Sequence, residues 1–385
     1  MSLLSSFINK ISLFEKDFEV YNHIYISRSA ILHNFDLLER LSPNRMVIPV
    51  LKSNAYGHGL EQVTTILKDR KFPYIAVDGY YEAIRIHKIS KQPVLIMGAI
   101  NSVNYVRIRP NGYAFVVHDA DSLKAMGDTN KRFTIHIELE TGMGRHGVRV
   151  DELDDFLIIV SKYKNLLVEG VMTHLADADN PKSDNHVLLQ TKRFDNCVEK
   201  IHKAGFSPKY IHIAQSAGSA KVKSVFANTI RPGIALYGVT PLKDDDILAD
   251  KMSALIPALK LTSTIAKIIE IDSKESVGYG RTFIAKHRCR IGVLPLGYYE
   301  GMPRSLSNKG KIKWHSHYLP IAGRICMNHT MIKLNDKVKT NDIVTIISNK
   351  PNDILSVNNI CSENKLFIYS LLVGLTNNIR RTIVK

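Results

Sequence analysis

The chain has 385 residues, 45% of them apolar, and a formal net charge of +16. This length exceeds an average domain and predicts either two domains or one large barrel with a smaller partner, and the apolar fraction is sufficient for a full core. The lysines and arginines are scattered rather than gathered into one basic stripe with aromatic residues, which argues against a nucleic-acid-binding protein.

No apolar run reaches the length that crosses a bilayer, and the first ten residues lack the features of a secretory signal. The four cysteines, Cys197, Cys289, Cys326 and Cys361, have no spacing typical of a zinc site or a disulfide framework. We therefore expect a cytoplasmic protein with reduced thiols, no membrane contact and no bound metal.

Strand and helix patterns alternate through the first two thirds of the chain. Residues 1–22 form an extension of no assigned role, and a strand at 24–26 leads into a helix at 29–38 behind a serine cap. The eight strand candidates of the alternating region are residues 47–51, 74–77, 94–97, 114–117, 133–139, 167–172, 210–214 and 234–237. The main helix candidates are residues 60–67, 81–89, 153–163 and 187–204. This alternation predicts an α/β fold, a parallel (β/α)8 TIM-like barrel over residues 23–243, whose chemistry lies at the carboxyl ends of its strands.

Beyond residue 243 the pattern changes. An acidic turn is followed by β-rich segments without regular helical alternation, at residues 259–268, 290–294, 319–325 and 343–347. We expect a mostly β C-terminal domain over residues 244–385.

A single lysine, Lys52, stands at the end of the first barrel strand. An amine at the rim of a core is a candidate Schiff-base nucleophile because desolvation lowers its pKa, although a salt-bridged lysine is the alternative. Residues 51–59, Leu-Lys-Ser-Asn-Ala-Tyr-Gly-His-Gly, closely resemble the pyridoxal-phosphate attachment motif of the alanine racemase family. The resemblance, which extends over the chain from about residue 24, implies that Lys52 carries pyridoxal 5'-phosphate.

The same resemblance implies a racemase that interconverts L-alanine and D-alanine for cell-wall peptidoglycan. Removal of the α-proton needs an electron sink, which the cofactor supplies, and an acid or base on each face of the substrate. Lys52 would serve one face. Tyr279, between Gly278 and Gly280, resembles the family's second catalytic base, whereas alone a glycine-flanked tyrosine is equally typical of a turn.

Other cofactor-binding residues are implied only by the resemblance. His174 resembles the histidine that links the catalytic tyrosine to an arginine, and Arg231 resembles the arginine that faces the pyridine nitrogen. Alone, either side chain is an ordinary structural residue. The residues that match the family's phosphate-binding positions are Tyr56, Ser216, Gly233 and Ile234.

Two residues resemble substrate-binding positions. Arg145 matches an arginine that contacts the cofactor oxygen and the substrate carboxylate, and Met327 matches a methionine whose backbone contacts the substrate. In the family, the equivalents of Tyr279 and Met327 serve the active site of the neighbouring subunit, which implies a homodimer with shared active sites.

Three positions depart from the family pattern. Glu138 replaces a lysine that many members carry in carboxylated form, and since glutamate is anionic without modification, we predict that it holds Arg145 without bicarbonate. Asn328 replaces an aspartate. Asn377 aligns with a tyrosine that crowds the substrate methyl group, and the smaller side chain predicts that serine is accepted as well as alanine.

Three rival functions stay open. A decarboxylase of the same two-domain plan should carry a glycine-rich phosphate loop and a substrate-binding cysteine motif, and we find neither. A non-catalytic cofactor-binding protein of the single-barrel kind should lack the second domain and Tyr279. An inactive descendant is compatible with the changes at Glu138, Asn328 and Asn377.

Overall fold

The computed structural model describes residues 18–243 and 245–385, so most of the predicted N-terminal extension lies outside the described residues. The chain divides into two compact units. A barrel unit contains residues 26–259, 349–373 and 383–385, and a β unit contains the described residues up to Tyr25 together with residues 260–348 and 374–382.

These units differ from the predicted domain ranges in four places. Residues 23–25 group with the β unit, whereas residues 245–259, 349–373 and 383–385 group with the barrel unit. For residues 349–373 the reason is close packing: a methyl group on Gly57 would lie 2.0 Å from the carbonyl oxygen of Leu372, so the two backbones are in direct contact.

The first described elements are strand β1 (Asn22–Ser27) and helix α1 (Arg28–Leu41). Ser27 caps the helix, because its Oγ accepts a hydrogen bond from the N–H of Ala30 at 3.2 Å. The helix therefore begins at Arg28 rather than at the predicted Ser29.

Eight parallel strands form a ring in the order β3-β4-β5-β6-β8-β9-β10-β2, which confirms the predicted barrel. A parallel bridge between Val50, three residues after β2, and Ala76 of β3 closes the ring. The strands are β2 (Met46–Val47), β3 (Ile75–Val77), β4 (Val94–Ile96), β5 (Tyr113–Val117), β6 (Phe133–Glu140), β8 (Leu166–Met172), β9 (Tyr210–Gln215) and β10 (Thr229–Arg231), and the short β7 (Val148–Arg149) pairs with the end of β6.

The predicted eighth strand was wrong. Residues Ile234–Tyr237 form a 3-10 turn, and the strand is β10, which ends just before Pro232. Proline has no N–H to donate to a sheet and therefore terminates the pairing. The apolar run after it is wholly buried, which gave it the composition of a strand.

The barrel unit contains nine α-helices besides α1 among its described residues, and the four helices predicted after residue 41 are among them. Helix α7 is amphipathic, with buried residues that recur at helical spacing: Val187, Gln190, Thr191, Phe194, Cys197, Val198 and Ile201. The nine are α2 (Lys52–Tyr56), α3 (Leu60–Leu67), α4 (Tyr80–His87), α5 (Ala120–Gly127), α6 (Leu153–Lys162), α7 (Asp184–Lys203), α8 (Gly218–Lys221), α9 (Val357–Asn364) and α10 (Ile368–Val373).

The β unit is built from three sheets, as the strand-rich sequence predicts. Its largest sheet has the order β17-β16-β19-β11-β1-β20, a second has the order β12-β15-β18, and β13 pairs with β14. The strands are β11 (Leu259–Thr264), β12 (Lys267–Ile271), β13 (Ser276–Val277), β14 (Phe283–Ile284), β15 (Cys289–Leu294), β16 (Lys311–Trp314), β17 (His317–Pro320), β18 (Thr330–Leu334), β19 (Ile343–Ile347) and β20 (Arg380–Val384). In the described part of the chain, none of the helices combines the length and the apolar character needed to cross a bilayer.

Candidate active site

The barrel unit contains a cavity of about 540 Å³ lined by residues from the carboxyl ends of its strands. This is the end of a parallel barrel at which chemistry is expected. Eight of the ten predicted site residues line or border this cavity or its loops: Lys52, Tyr56, Arg145, His174, Ser216, Arg231, Gly233 and Ile234. The other two, Tyr279 and Met327, lie in the β unit and are 69% and 56% exposed.

Lys52 is followed by an unusual backbone turn. Ser53, Asn54, Ala55 and Tyr56 all have φ between 52° and 56°, in the left-handed helical region. For residues with a side chain this conformation costs about 1–2 kcal/mol each. The surrounding structure holds the turn: the N–H of Leu60 donates to Asn54 Oδ1 at 2.8 Å, and the N–H of Asn54 donates to Glu82 Oε1 at 3.3 Å. The strain therefore lies next to the candidate reactive amine, as is common at functional sites.

Lys52 also has the acidic neighbour that the structural alternative requires. Its Nζ is 3.7 Å from Asp78 Oδ1, and the two side chains are 35% and 63% exposed. An ion pair this long and this exposed contributes little to stability. Because the cavity leaves space beside the amine, the pairing is compatible with cofactor attachment.

A set of polar groups suited to a phosphate surrounds Ser216. Its Oγ accepts hydrogen bonds from the N–H groups of Gly233 and Ala235 at 3.0 and 3.2 Å, which leaves its own O–H free to donate. The Tyr56 hydroxyl lies so close that a methyl group on Gly233 would be 2.3 Å from it. Burial raises the pKa of Tyr56, so its phenol keeps the proton it would donate. Two hydroxyl donors and the start of a 3-10 turn at Ile234 thus fit a phosphoryl group.

Arg231 supplies a buried cation to the same cavity. Its guanidinium donates to Nδ1 and the carbonyl oxygen of His212 and to the carbonyl oxygen of Thr173, each at 2.7 Å. Burial lowers the pKa of Arg231 to about 10, which still leaves it charged at neutral pH. Since these acceptors carry no charge, they satisfy its hydrogen bonds without neutralising it.

Behind Arg231, two histidines form a polar pair inside the barrel that the sequence analysis missed. His212 uses Nδ1 to accept from Arg231, so its Nε2 carries the hydrogen and donates to His136 Nδ1 at 2.8 Å. Burial, with the nearby Arg231 charge, lowers the pKa of His136 to about 3 and that of His212 well below its usual value. The available signal was a histidine between two isoleucines in each of the strands β6 and β9.

His174 borders the cavity as a neutral side chain. Burial, followed by the charges of Arg231 and Arg145, lowers its pKa to about 3. A neutral imidazole can accept one hydrogen bond and donate another. This is the property required of a residue that connects a phenol to a guanidinium.

Glu138 is the centre of an ionic cluster beside Arg145. Its side chain is 4% exposed, Oε2 lies 2.6 Å from His118 Nδ1 and 3.5 Å from His146 Nδ1, and Oε1 lies 3.8 Å from an Arg145 nitrogen. Burial raises the pKa of Glu138, but the close approach of His118, His146 and Arg145 outweighs it and lowers the pKa overall. The carboxylate is thus placed to hold Arg145. His118 and His146 were missed, because their shared partner is visible only in the fold.

Tyr369 is a cavity residue that the sequence analysis did not identify. It belongs to α10, its ring centroid is 6.2 Å from that of Tyr56, and burial together with Asp179 raises its pKa to about 12. Asn377, which the sequence aligns with a tyrosine that crowds the substrate methyl group, lies in the β unit, as does Asn328, whose amide donates to Glu300 Oε1 at 2.8 Å.

The cavity fits a phosphorylated pyridine aldehyde. Its residues provide an amine at Lys52, hydroxyl donors at Ser216 and Tyr56, and the Arg231 cation, all around one cavity.

Comparison with known proteins agrees with this geometry. The profile described as the N-terminal domain of alanine racemase matches residues 26–241, and the one described as its C-terminal domain matches residues 258–383. The chain is 30% identical over 367 residues to "Alanine racemase 2" of Caldanaerobacter subterraneus, covering 93% of each chain. It is 31% identical over 369 residues to an alanine racemase of Staphylococcus epidermidis, covering 93% of this chain and 94% of the relative.

Solved structures show the same fold. The alanine racemase of Bacillus anthracis with bound L-Ala-P superposes with a TM-score of 0.87 at 25% identity, covering 96% of each chain. The alanine racemase of Clostridium difficile 630 superposes with a TM-score of 0.88 at 23% identity, covering 96% of this chain and 97% of that one. The chain therefore belongs to the alanine racemase family and is an enzyme of the racemase class.

Proposed function

We propose that this chain interconverts L-alanine and D-alanine with pyridoxal 5'-phosphate attached to Lys52, as a homodimer that makes D-alanine for peptidoglycan. The observation that carries the proposal is the cavity itself. Lys52, Tyr56, Ser216 and the buried Arg231 line a space of about 540 Å³, and this arrangement supports the proposal. The cofactor, when bound, supplies the electron sink that stabilises the deprotonated α-carbon.

Arg231 tunes the acidity of the substrate. Because it is a cation without a carboxylate partner among its hydrogen bonds, Arg231 would disfavour a proton on the ring nitrogen of a bound cofactor. It would thereby weaken the electron sink that the cofactor supplies. The residue therefore favours return of the proton to the α-carbon over leakage into transamination.

Two groups of this chain move the proton. Lys52 Nζ acts at one face of the α-carbon, and the phenol oxygen of Tyr279 from a second copy acts at the other. Tyr279 is 69% exposed, as expected for a side chain that contributes to the active site of a second subunit. His174 is neutral, so it is suited to link that phenol to Arg231 by accepting one hydrogen bond and donating another.

Arg145 is proposed to bind the substrate carboxylate. Glu138 supplies the negative charge that orients the guanidinium, at 3.8 Å, without chemical modification of a lysine. The expected consequence is that bicarbonate has no effect on turnover.

The test is isotope exchange by the purified protein. Incubated with L-alanine, L-serine or L-lysine in deuterated water, the enzyme should exchange the α-proton of L-alanine and generate D-alanine. L-serine exchange at a measurable rate would support the wider pocket predicted from Asn377. Release of carbon dioxide from L-lysine would support the decarboxylase instead, and no exchange with any substrate would support a silent cofactor binder.

A further inference from the structure

His118, Glu138 and His146 form a cluster whose potential metal-ligand atoms all lie within 4.8 Å of one another. Two of the three side chains are strongly buried, since His118 is 6% and Glu138 is 4% exposed, whereas His146 is 39% exposed. Glu138 and His146 also line the barrel cavity.

The geometry of the cluster is that of ligands around a shared centre. Both histidines direct Nδ1 toward the same carboxylate oxygen, Oε2, while Arg145 approaches the other oxygen. His118 Nδ1 is only 2.6 Å from Oε2, yet among the described residues neither ring nitrogen of His118 forms a well-directed hydrogen bond. A buried imidazole normally has such a partner. A cation between the three side chains would give Nδ1 of His118 a partner.

Two imidazoles and one carboxylate are a donor set typical of zinc sites that keep one position open. Tetrahedral ligands about 2.0–2.1 Å from zinc are about 3.3 Å apart. The separation of His146 Nδ1 from Oε2 is close to this value, and small rotations of the half-exposed His146 and of the carboxylate would bring the other separations into range.

We propose that His118, Glu138 and His146 bind a late first-row divalent cation, of which Zn²⁺ is the probe, with the fourth position open to the cavity. Such an ion draws on the Oε2 charge of Glu138 and so weakens the attraction between Glu138 and Arg145. The expected consequence, which rests on the proposed function of Arg145, is that zinc inhibits the enzyme by raising the KM for alanine.

The binding test uses the full-length protein as purified and zinc alone, titrated by calorimetry at about pH 7.5. His146→Ala is the main variant, because its half-exposed side chain can be removed without opening the core. His287→Ala, an exposed histidine of the β unit, is the matched control. Changes in the second ligand shell of a metal site cost about 10–100-fold in affinity, so losing a ligand should weaken binding by at least about 100-fold.

Tight binding of one zinc per chain that His146→Ala abolishes and His287→Ala retains supports the site, and Glu138→Gln should weaken it similarly. Equal binding by all variants, or no zinc binding by the unchanged protein, overturns it. Melting temperatures of the variants establish that each is folded. Because binding is measured without turnover, failure of this site would leave the proposed racemase activity untouched, and failure of that activity would leave the site testable.

Discussion

At the scale of single residues, the site depends on charges that burial does not cancel. Arg231 is 2% exposed and satisfies its hydrogen bonds with neutral acceptors. Glu138 remains a carboxylate inside the barrel because three basic side chains surround it. Removing the partners of either charge would lower the free energy of unfolding by several kcal/mol, since breaking a buried ion pair costs about 3–5 kcal/mol.

Tyr279→Phe tests the second base. We expect the variant to keep the absorbance of the lysine-bound cofactor and to lose about 10²–10⁴-fold in α-proton removal from L-alanine, because a positioned acid or base contributes that much. The measurement is the rate at which the α-proton of L-alanine, supplied as a single isomer, exchanges in deuterated water. Tyr318→Phe, at another exposed tyrosine of the β unit, is the control and should retain full activity. Equal rates for both variants would refute the two-base assignment.

Glu138→Gln tests the positioning of Arg145. Glutamine keeps the shape but removes the negative charge, so we expect the KM for alanine to rise on the order of 10-fold, equivalent to about 1.4 kcal/mol, with a smaller change in kcat. Initial-rate kinetics with and without bicarbonate provide the measurement. A bicarbonate-dependent rate in the unchanged enzyme would contradict the role given to Glu138.

At the scale of elements, the left-handed turn after Lys52 reverses the usual destabilising effect of a glycine substitution. Ser53 is exposed at φ 56°, where a glycine avoids about 1–2 kcal/mol of steric cost and loses about 0.5–1 kcal/mol of chain entropy. Ser53→Gly should therefore leave the melting temperature unchanged or higher. Ser362→Gly, at an exposed position of the right-handed helix α9, should lower it. A lower melting temperature for both would show that the turn is not strained.

The sequence predicts most of the elements but not this turn. Seven barrel strands and the long helices follow from apolar periodicity, whereas Ser53, Ala55 and Tyr56 have no preference for positive φ, so only tertiary contacts can impose it. The eighth strand was misplaced because burial makes a 3-10 turn as apolar as a strand. His136 and His212 were missed for a topological reason: they lie on β6 and β9, which are separated by β8, and meet only inside the closed ring.

At the scale of the whole molecule, buried neutral histidines should make the protein sensitive to acid. The folded-state pKa values of His136 and His174 are about 3, and that of His212 is also lowered. Below about pH 6.5 these histidines bind protons in the unfolded chain but not in the folded one. The free energy of unfolding therefore falls as pH decreases, by up to about 1.4 kcal/mol per pH unit for each histidine.

Melting temperatures measured from about pH 7.5 down to about pH 5 give this slope. His174→Gln should make it shallower, because glutamine does not titrate. His287→Ala, which removes an exposed histidine, should leave it unchanged. Identical slopes for all three proteins would mean that carboxylates rather than these histidines govern the acid response.

Shared active sites in a homodimer predict complementation between inactive variants. If Lys52 and Tyr279 of one site come from different subunits, a heterodimer of Lys52→Ala and Tyr279→Phe chains contains one intact site. Dissociating and reassociating an equal mixture should restore about a quarter of the activity of the unchanged enzyme, since half of the dimers are mixed and each has one of two sites. No recovery would place Tyr279 in the site of its own subunit.

The histidine pair behind Arg231 exists only because the strand between its two members carries no side chain at the crossing point. Gly170 of β8 stands opposite His136, and a methyl group there would lie 2.2 Å from His136 Nδ1. Any larger residue at position 170 would push that imidazole off His212 and remove a support of the guanidinium. Gly170 itself touches neither coenzyme nor amino acid. The chemistry at the open end of the barrel nevertheless depends on its missing side chain, which leaves the space that His136 occupies.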